Sequence, residues 1–167
     1  GISGNLAEVF PTLADGTNPN FYRLFSGCSN LSGAIPETLF AGLYGDAAVA
    51  MFAGVFENCV GLTEIPTYLF AGVTKPNVGM FTGSFIGCTG ITAIPENLLL
   101  GLEMPDAPPR GMFMYMFQGS RKLQGQSLRL NGDYLYDLYP DVSDVFNEMY
   151  SGATGLTDYA DIPASWK

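Results

Sequence analysis

The sequence predicts an α/β solenoid of about five coils of 29–33 residues, with one short parallel strand per coil. Two observations carry that expectation. The first is repetition. Residues 52–72, FAGVFENCVGLTEIPTYLFAG, return as FTGSFIGCTGITAIPENLLLG over 81–101 and as FYRLFSGCSNLSGAIPETLFAG over 21–42, the last with one additional residue ahead of Ile35. Between the leading residues Phe21, Phe52, Phe81, Phe113 and Phe146 the intervals are 31, 29, 32 and 33. Self-similarity at such a period marks units that cannot bury an apolar face alone and must stack on their neighbours. The second is that identities at matched positions make ladders: Phe25, Phe56, Phe85 and Phe117; Leu31, Leu62, Ile91, Leu123 and Leu156; Ile35, Ile65, Ile94 and Ile162, each isoleucine followed by proline.

Within one unit, the L-T-x-I run is rich in β-branched residues and bounded by Gly and Pro, which predicts the strand. In P-E-T-L-F-A-G the proline suits a first helical turn and the glycine (Gly42, Gly72, Gly101) a left-handed stop, which predicts a capped turn or two of helix. The F-x3-F-x2-C spacing is helix-like, although its glycines weaken that reading.

Taken in order, the chain is expected to be one domain, 1–167. Residues 1–20 form a degraded N-terminal repeat or cap, with Leu6, Val9, Pro11 and Leu13 near ladder positions and a turn cluster over 15–20. Regular repeats fill 21–111, linked by polar turns over 43–51 and 73–80, and the proline-bearing stretch 103–111 is expected to be irregular. Degenerate repeats and a C-terminal cap occupy 112–167. Here Ser120 stands where cysteine stood, Asn131-Gly132 signals a hairpin, and Trp166 is placed to shield the last core face.

The F-x2-C-x2-L-x2-I-P-x2-L-F pattern resembles the leucine-rich repeats of the BspA-like group of bacterial surface proteins, in the longer form typical of gut bacteria. It does so closely over 21–101 and loosely over 113–166. The resemblance implies a leucine-rich-repeat solenoid at the cell surface or outside the cell. It also implies a non-catalytic binding or adhesion module that presents its repeat surface to a protein or glycan partner. The alternative is a structural spacer, or a subunit of a cell-surface or phage-tail assembly without a ligand of its own.

Composition narrows the chemistry. With 7 Lys and Arg against 16 Asp and Glu, and no histidine, the net charge of −9 argues against nucleic acid, whose phosphates need a basic surface. No apolar run reaches transmembrane length, so this stretch is not expected to insert in a membrane, and a monomer is expected. Without histidine no Ser/His or Cys/His pair exists, and no phosphate-cradling glycine motif appears, so an enzyme is not expected. The three cysteines, Cys28, Cys59 and Cys88, share one repeat position. They read as small apolar fillers, buried and free, because structural zinc needs four ligands. Asp133, Asp137, Asp141 and Asp144 lack calcium-loop spacing and read as a solvated face, so no cofactor or metal is expected. The strand positions Ser32, Thr63, Glu64, Thr92 and Ala93 are bland. Recognition is therefore assigned to Tyr134, Tyr136 and Tyr139, which interrupt the repeat with large amphipathic rings.

Overall fold

The structure, a computed structural model, describes residues 3–9, 15–16 and 20–167. Pro11 and Leu13 of the expected N-terminal repeat, and residues 17–19 of the expected turn cluster, lie outside the described residues.

Turns, more than strands or helices, build this chain. In order it runs β1 (Gly4–Asn5), α1 (Leu6–Val9), β2 (Asp15–Gly16), β3 (Leu31–Ala34), β4 (Gly42–Leu43), β5 (Gly45–Asp46), β6 (Gly61–Glu64) and β7 (Val73–Lys75). There follow β8 (Arg129–Leu130), β9 (Asp133–Tyr134), α2 (Leu135–Leu138), α3 (Ser143–Phe146) and a 3-10 turn at Ala164–Trp166. Among the described residues the strands fall into four small sheets: parallel β1-β3-β6, parallel β2-β4, parallel β5-β7 and antiparallel β8-β9. The hairpin expected at Asn131-Gly132 is the β8-β9 pair.

This overturns the expected five-coil leucine-rich-repeat solenoid with one parallel strand per coil. Strands are two to four residues long and divided among separate sheets, and each α-helix is a single four-residue piece. Leu62 lies in β6, whereas its repeat-equivalent Ile91 lies in no strand; beyond it, among the described residues, the series continues only as isolated parallel bridges, Ala93 to Gln124 and Gly125 to Leu156. The physical reason is lack of room. Each L-x-x-I run begins where a turn has already taken the first amide, as Leu62 N donates to Cys59 O and Ile91 N to Cys88 O. It ends at a proline that has no N–H to give a ladder. The register also slips between Gly33 and Ala34.

The expected helices are absent for a related reason. After each proline the amides reach back three residues instead of four, at alternate positions: Leu39 to Pro36, Ala41 to Thr38 and Leu43 to Phe40. The phenylalanine segments follow the same rule with a strict period of four. In 50–59, Ala53, Val55, Glu57 and Cys59 donate to the carbonyl three residues back. The interleaved amides of Ala50, Phe52, Gly54, Phe56 and Asn58 donate instead to Val78, Met80, Thr82, Ser84 and Ile86 of the next copy, at 2.7–2.9 Å. Every fourth residue is left-handed: Ala50, Gly54 and Asn58, then Gly79, Gly83 and Gly87, then Gly111, Tyr115 and Gly119. An α-helix satisfies its amides within itself. This ribbon sends half of them to its neighbour.

The core lies where the phenylalanines of successive copies meet. Phe21, Phe52, Phe81, Phe113 and Phe146 stack with ring centroids 5.4–5.7 Å apart. Phe25, Phe56, Phe85, Phe117 and Tyr150 make a second stack at 5.5–5.9 Å. Each such pair contributes about 0.5–1.5 kcal/mol beyond the area it buries. Trp166 closes the first stack, fully buried at 4.0 Å from Phe146, and its carbonyl takes the Tyr150 amide as a further copy would.

Candidate functional site

The isoleucine–proline corners of the first three copies form a trough. One depression of about 320 Å³ lies between Ala34–Glu37 and Glu64–Thr67. A second, of about 460 Å³, lies between Thr63–Thr67 and Thr92–Pro95. They share Glu64, Ile65 and Thr67, so they abut as neighbouring subsites. Their volumes fall within the range of small-molecule and cofactor pockets. Pro36, Pro66 and Pro95 set the floor with fixed backbone angles, and buried Ile35 and Ile65 anchor it to the core. The rim is polar and uncommitted. The hydroxyls of Thr63, Thr67 and Thr92 bond to nothing within the chain, and Glu37 and Glu64 pair with no cation, among the described residues.

The trough leads to the tyrosines that the sequence singled out. Glu96, next to Pro95, accepts from Arg129 Nη1 at 3.1 Å. Arg129 Nη2 donates to the Tyr134 hydroxyl at 2.8 Å and to Gln126 Oε1, and the guanidinium lies over the Tyr134 ring, 4.4 Å from its centroid. The Tyr134 hydrogen bond, more than the Glu96 carboxylate, raises the pKa of Arg129. Tyr136 stacks on Tyr134 at 4.9 Å. With Arg129 also over the ring, Tyr134 offers a partner mainly its edge.

Tyr136 and Tyr139 are half-buried against the core. The Tyr136 hydroxyl donates to Asp158 Oδ2 at 3.5 Å, and that of Tyr139 to Pro105 O at 3.3 Å. Burial raises both phenols above the usual tyrosine range, Asp158 adding to the effect at Tyr136 and Asp106 at Tyr139. Asp158 is itself buried and clamps the hairpin, taking the Ser127 amide at 3.1 and 3.2 Å and its hydroxyl at 2.7 Å. Tyr150 adds a second tie by accepting from Leu128 N at 3.0 Å. The three tyrosines therefore lie in one segment, each with its hydroxyl held inside the chain.

The cysteine position proves to be a donor site. Cys59 Sγ donates to Phe25 O and Cys88 Sγ to Phe56 O, each at 3.0 Å, and Ser120 Oγ donates to Phe85 O at 2.9 Å. The sequence reading, that small size explains the position, is therefore incomplete. A hydrogen bond to the preceding copy explains why serine substitutes. Cys59 and Cys88 are buried and free; Cys28 is free but half-buried, contrary to expectation. Burial pushes the Cys59 thiol up to about 12 and raises that of Cys88 further. Among the described residues no group of three or more His, Cys, Asp or Glu is placed to hold a metal, and no helix is long and apolar enough to cross a membrane.

A smaller dent of about 190 Å³ lies on the turn face, lined by Tyr22, Arg23, Ala53, Gly54, Glu57, Thr82, Gly83 and Ile86. Its floor is bare because Gly54 and Gly83 occupy left-handed positions that favour glycine. Arg23 spans one end, paired with Glu57 at 2.7 Å.

No family model, curated protein or solved structure matches this chain.

Sequence reasoning missed the trough because it judged residues one at a time. Thr63, Glu64, Thr92 and Ala93 are bland individually. Their signal was available in the phase they share: all lie within three residues ahead of a proline at the same point of the repeat.

Proposed function

We propose that this chain is a non-catalytic binding module, working at a cell surface or outside the cell, whose trough presents a repeated surface to a protein or glycan partner. The observation that carries this reading is the pair of abutting depressions, rimmed by hydroxyls and carboxylates that no group among the described residues uses. Buried polar groups find partners within a fold; an exposed row left uncommitted over a rigid proline floor is free to serve a ligand. The likeness of the repeat to BspA-like surface proteins supports the cell-surface setting.

The alternative, a spacer or assembly subunit with no ligand, draws support from the tyrosine segment, whose hydroxyls are all bonded internally. The two readings separate on glycan and protein arrays probed with the labelled chain and with a Thr63→Arg/Thr92→Arg variant. Both substitutions are at exposed positions and fill the larger depression. Binding that the variant loses supports the module. Binding that both forms share, or none by either, refutes the trough as the site and favours the spacer.

A further inference from the structure

We infer that the trough takes a linear glycan of neutral or amine-bearing sugars, with neighbouring sugars in the two abutting depressions; this rests on the binding-module reading above. Three features select that ligand class.

First, the subsites repeat with the copies. Ala34, Glu64 and Ala93 are equivalent positions, as are Glu37, Thr67 and Glu96, and the prolines behind them stand in register. A site repeated at the spacing of stacked copies suits a polymer of like units better than a compact molecule.

Second, the rim chemistry is that of hydroxyl recognition. Threonine hydroxyls donate and accept, and the Glu37 and Glu64 carboxylates accept only. No Lys or Arg lines either depression, and the chain carries −9, so uronic acids, sulfated sugars and phosphates are repelled. An amine on the sugar would meet Glu64, which both depressions share.

Third, the copies are too close for a peptide strand to enter between the second and third: adding a strand needs room along a sheet edge, and there the two copies are packed together behind the trough. A Cβ on Gly90 would stand 2.3 Å from the Leu62 carbonyl oxygen. Neither depression holds an aromatic side chain to anchor a partner side chain.

The test is calorimetric titration of the chain with tetramers of glucose, glucosamine and galacturonic acid, and with the corresponding monomers. The expected result is that the neutral or amine tetramer binds, at least about tenfold more tightly than its monomer, while the acidic tetramer does not. Glu64→Gln should then weaken the glucosamine tetramer about tenfold, the loss of one charge-assisted hydrogen bond. Thr92→Val should weaken both active tetramers. Neither variant should move the melting temperature, since the side chains of Glu64 and Thr92 are exposed and have no partner among the described residues. Equal binding of the acidic tetramer, no gain with length, or unchanged affinity in both variants would overturn the inference. If no tetramer binds but a protein partner is lost on filling the trough, the glycan assignment fails and the binding module stands. If neither class binds, both fall.

Discussion

Ala50 offers a direct test of the turn ribbon, because glycine there should stabilise the protein while the same change three residues away should destabilise it. Ala50 has φ +53°, and its equivalents in the next two copies are Gly79 and Gly111, at +64° and +68°. An L-residue in the left-handed region costs about 1–2 kcal/mol. Replacement by glycine relieves that cost, against about 0.4–1 kcal/mol of additional backbone freedom in the unfolded chain. The Ala50 amide keeps its bond to Val78 O either way. Ala50→Gly should therefore stabilise by up to about 1.5 kcal/mol. Ala53 belongs to the same ribbon but has no left-handed φ and is buried. Ala53→Gly should cost about 0.5–1 kcal/mol of backbone entropy and up to about 0.8 kcal/mol for the lost methyl. Urea unfolding followed by Trp166 fluorescence reads both. With a slope of about 1–3 kcal/mol/M, a change of 1 kcal/mol moves the midpoint by about 0.3–1 M. If Ala50→Gly shifts the midpoint down as Ala53→Gly does, the four-residue turn cycle is wrong.

Tyr150→Phe should cost about 1–3 kcal/mol, because the buried Leu128 amide loses its acceptor; an unchanged urea midpoint would contradict the tie. The thiols set an alkaline limit. Folded Cys59 and Cys88 titrate above their unfolded value of 9.0, so their contribution is fully present below that pH and declines as pH rises through the window up to the folded pKa. Each thiol adds a slope of up to about 1.4 kcal/mol per pH unit there. Cys59→Ser/Cys88→Ser keeps the donors and should flatten that limb of the stability–pH curve. Deleting residues 162–167 should expose Phe146 and cause aggregation, seen by light scattering, whereas a soluble truncation with unchanged melting would place the cap elsewhere. Replacing Tyr134, Tyr136 and Tyr139 together by Ser should lower the melting temperature through lost stacking and lost ties to Asp158 and Pro105. A variant that melts normally but no longer binds an array partner would return recognition to these residues.

Much of the packing was legible in the sequence because side-chain identity at a fixed phase is itself the packing signal. Phe25, Phe56, Phe85 and Phe117 stack as their alignment requires, and Trp166 closes the end as an apolar residue after the last repeat should. Secondary structure was far less legible. The step from Phe52 to Phe56 is compatible with a helical turn, and nothing in those two residues distinguishes a period of 3.6 from one of four. The distinguishing residues are glycines: Gly79, Gly83 and Gly87 recur four apart at positions an α-helix would disfavour, and Gly54, between Phe52 and Phe56, stands at the same phase as Gly83. Ala50, Tyr115 and Glu148 hide that rule by adopting the left-handed angle without being glycine.

The cysteine position shows how a correct substitution pattern can support an incomplete cause. Cys59, Cys88, Ser120 and Ala153 are all small, so size accounts for all four. Only three can donate, and those three each reach the carbonyl of the second ring in the preceding copy. Ala153 has no such group, yet at that end Tyr150 gains a hydroxyl its equivalents lack and spends it on Leu128 N. The last copy thus gives up the tie to the copy before it and makes one to the hairpin beside it. That exchange suits a terminal unit: the fourth copy lies on one side of it and the Ala164–Trp166 turn on the other, and Asp158 and Tyr150 hold Ser127 and Leu128 at the start of the β8-β9 segment. Arg129 of that segment in turn reaches Glu96 at the end of the trough. A change at Tyr150 should therefore be felt in the affinity of the third-copy subsite, and Arg129→Ala, which cuts the link on the surface, should uncouple the two.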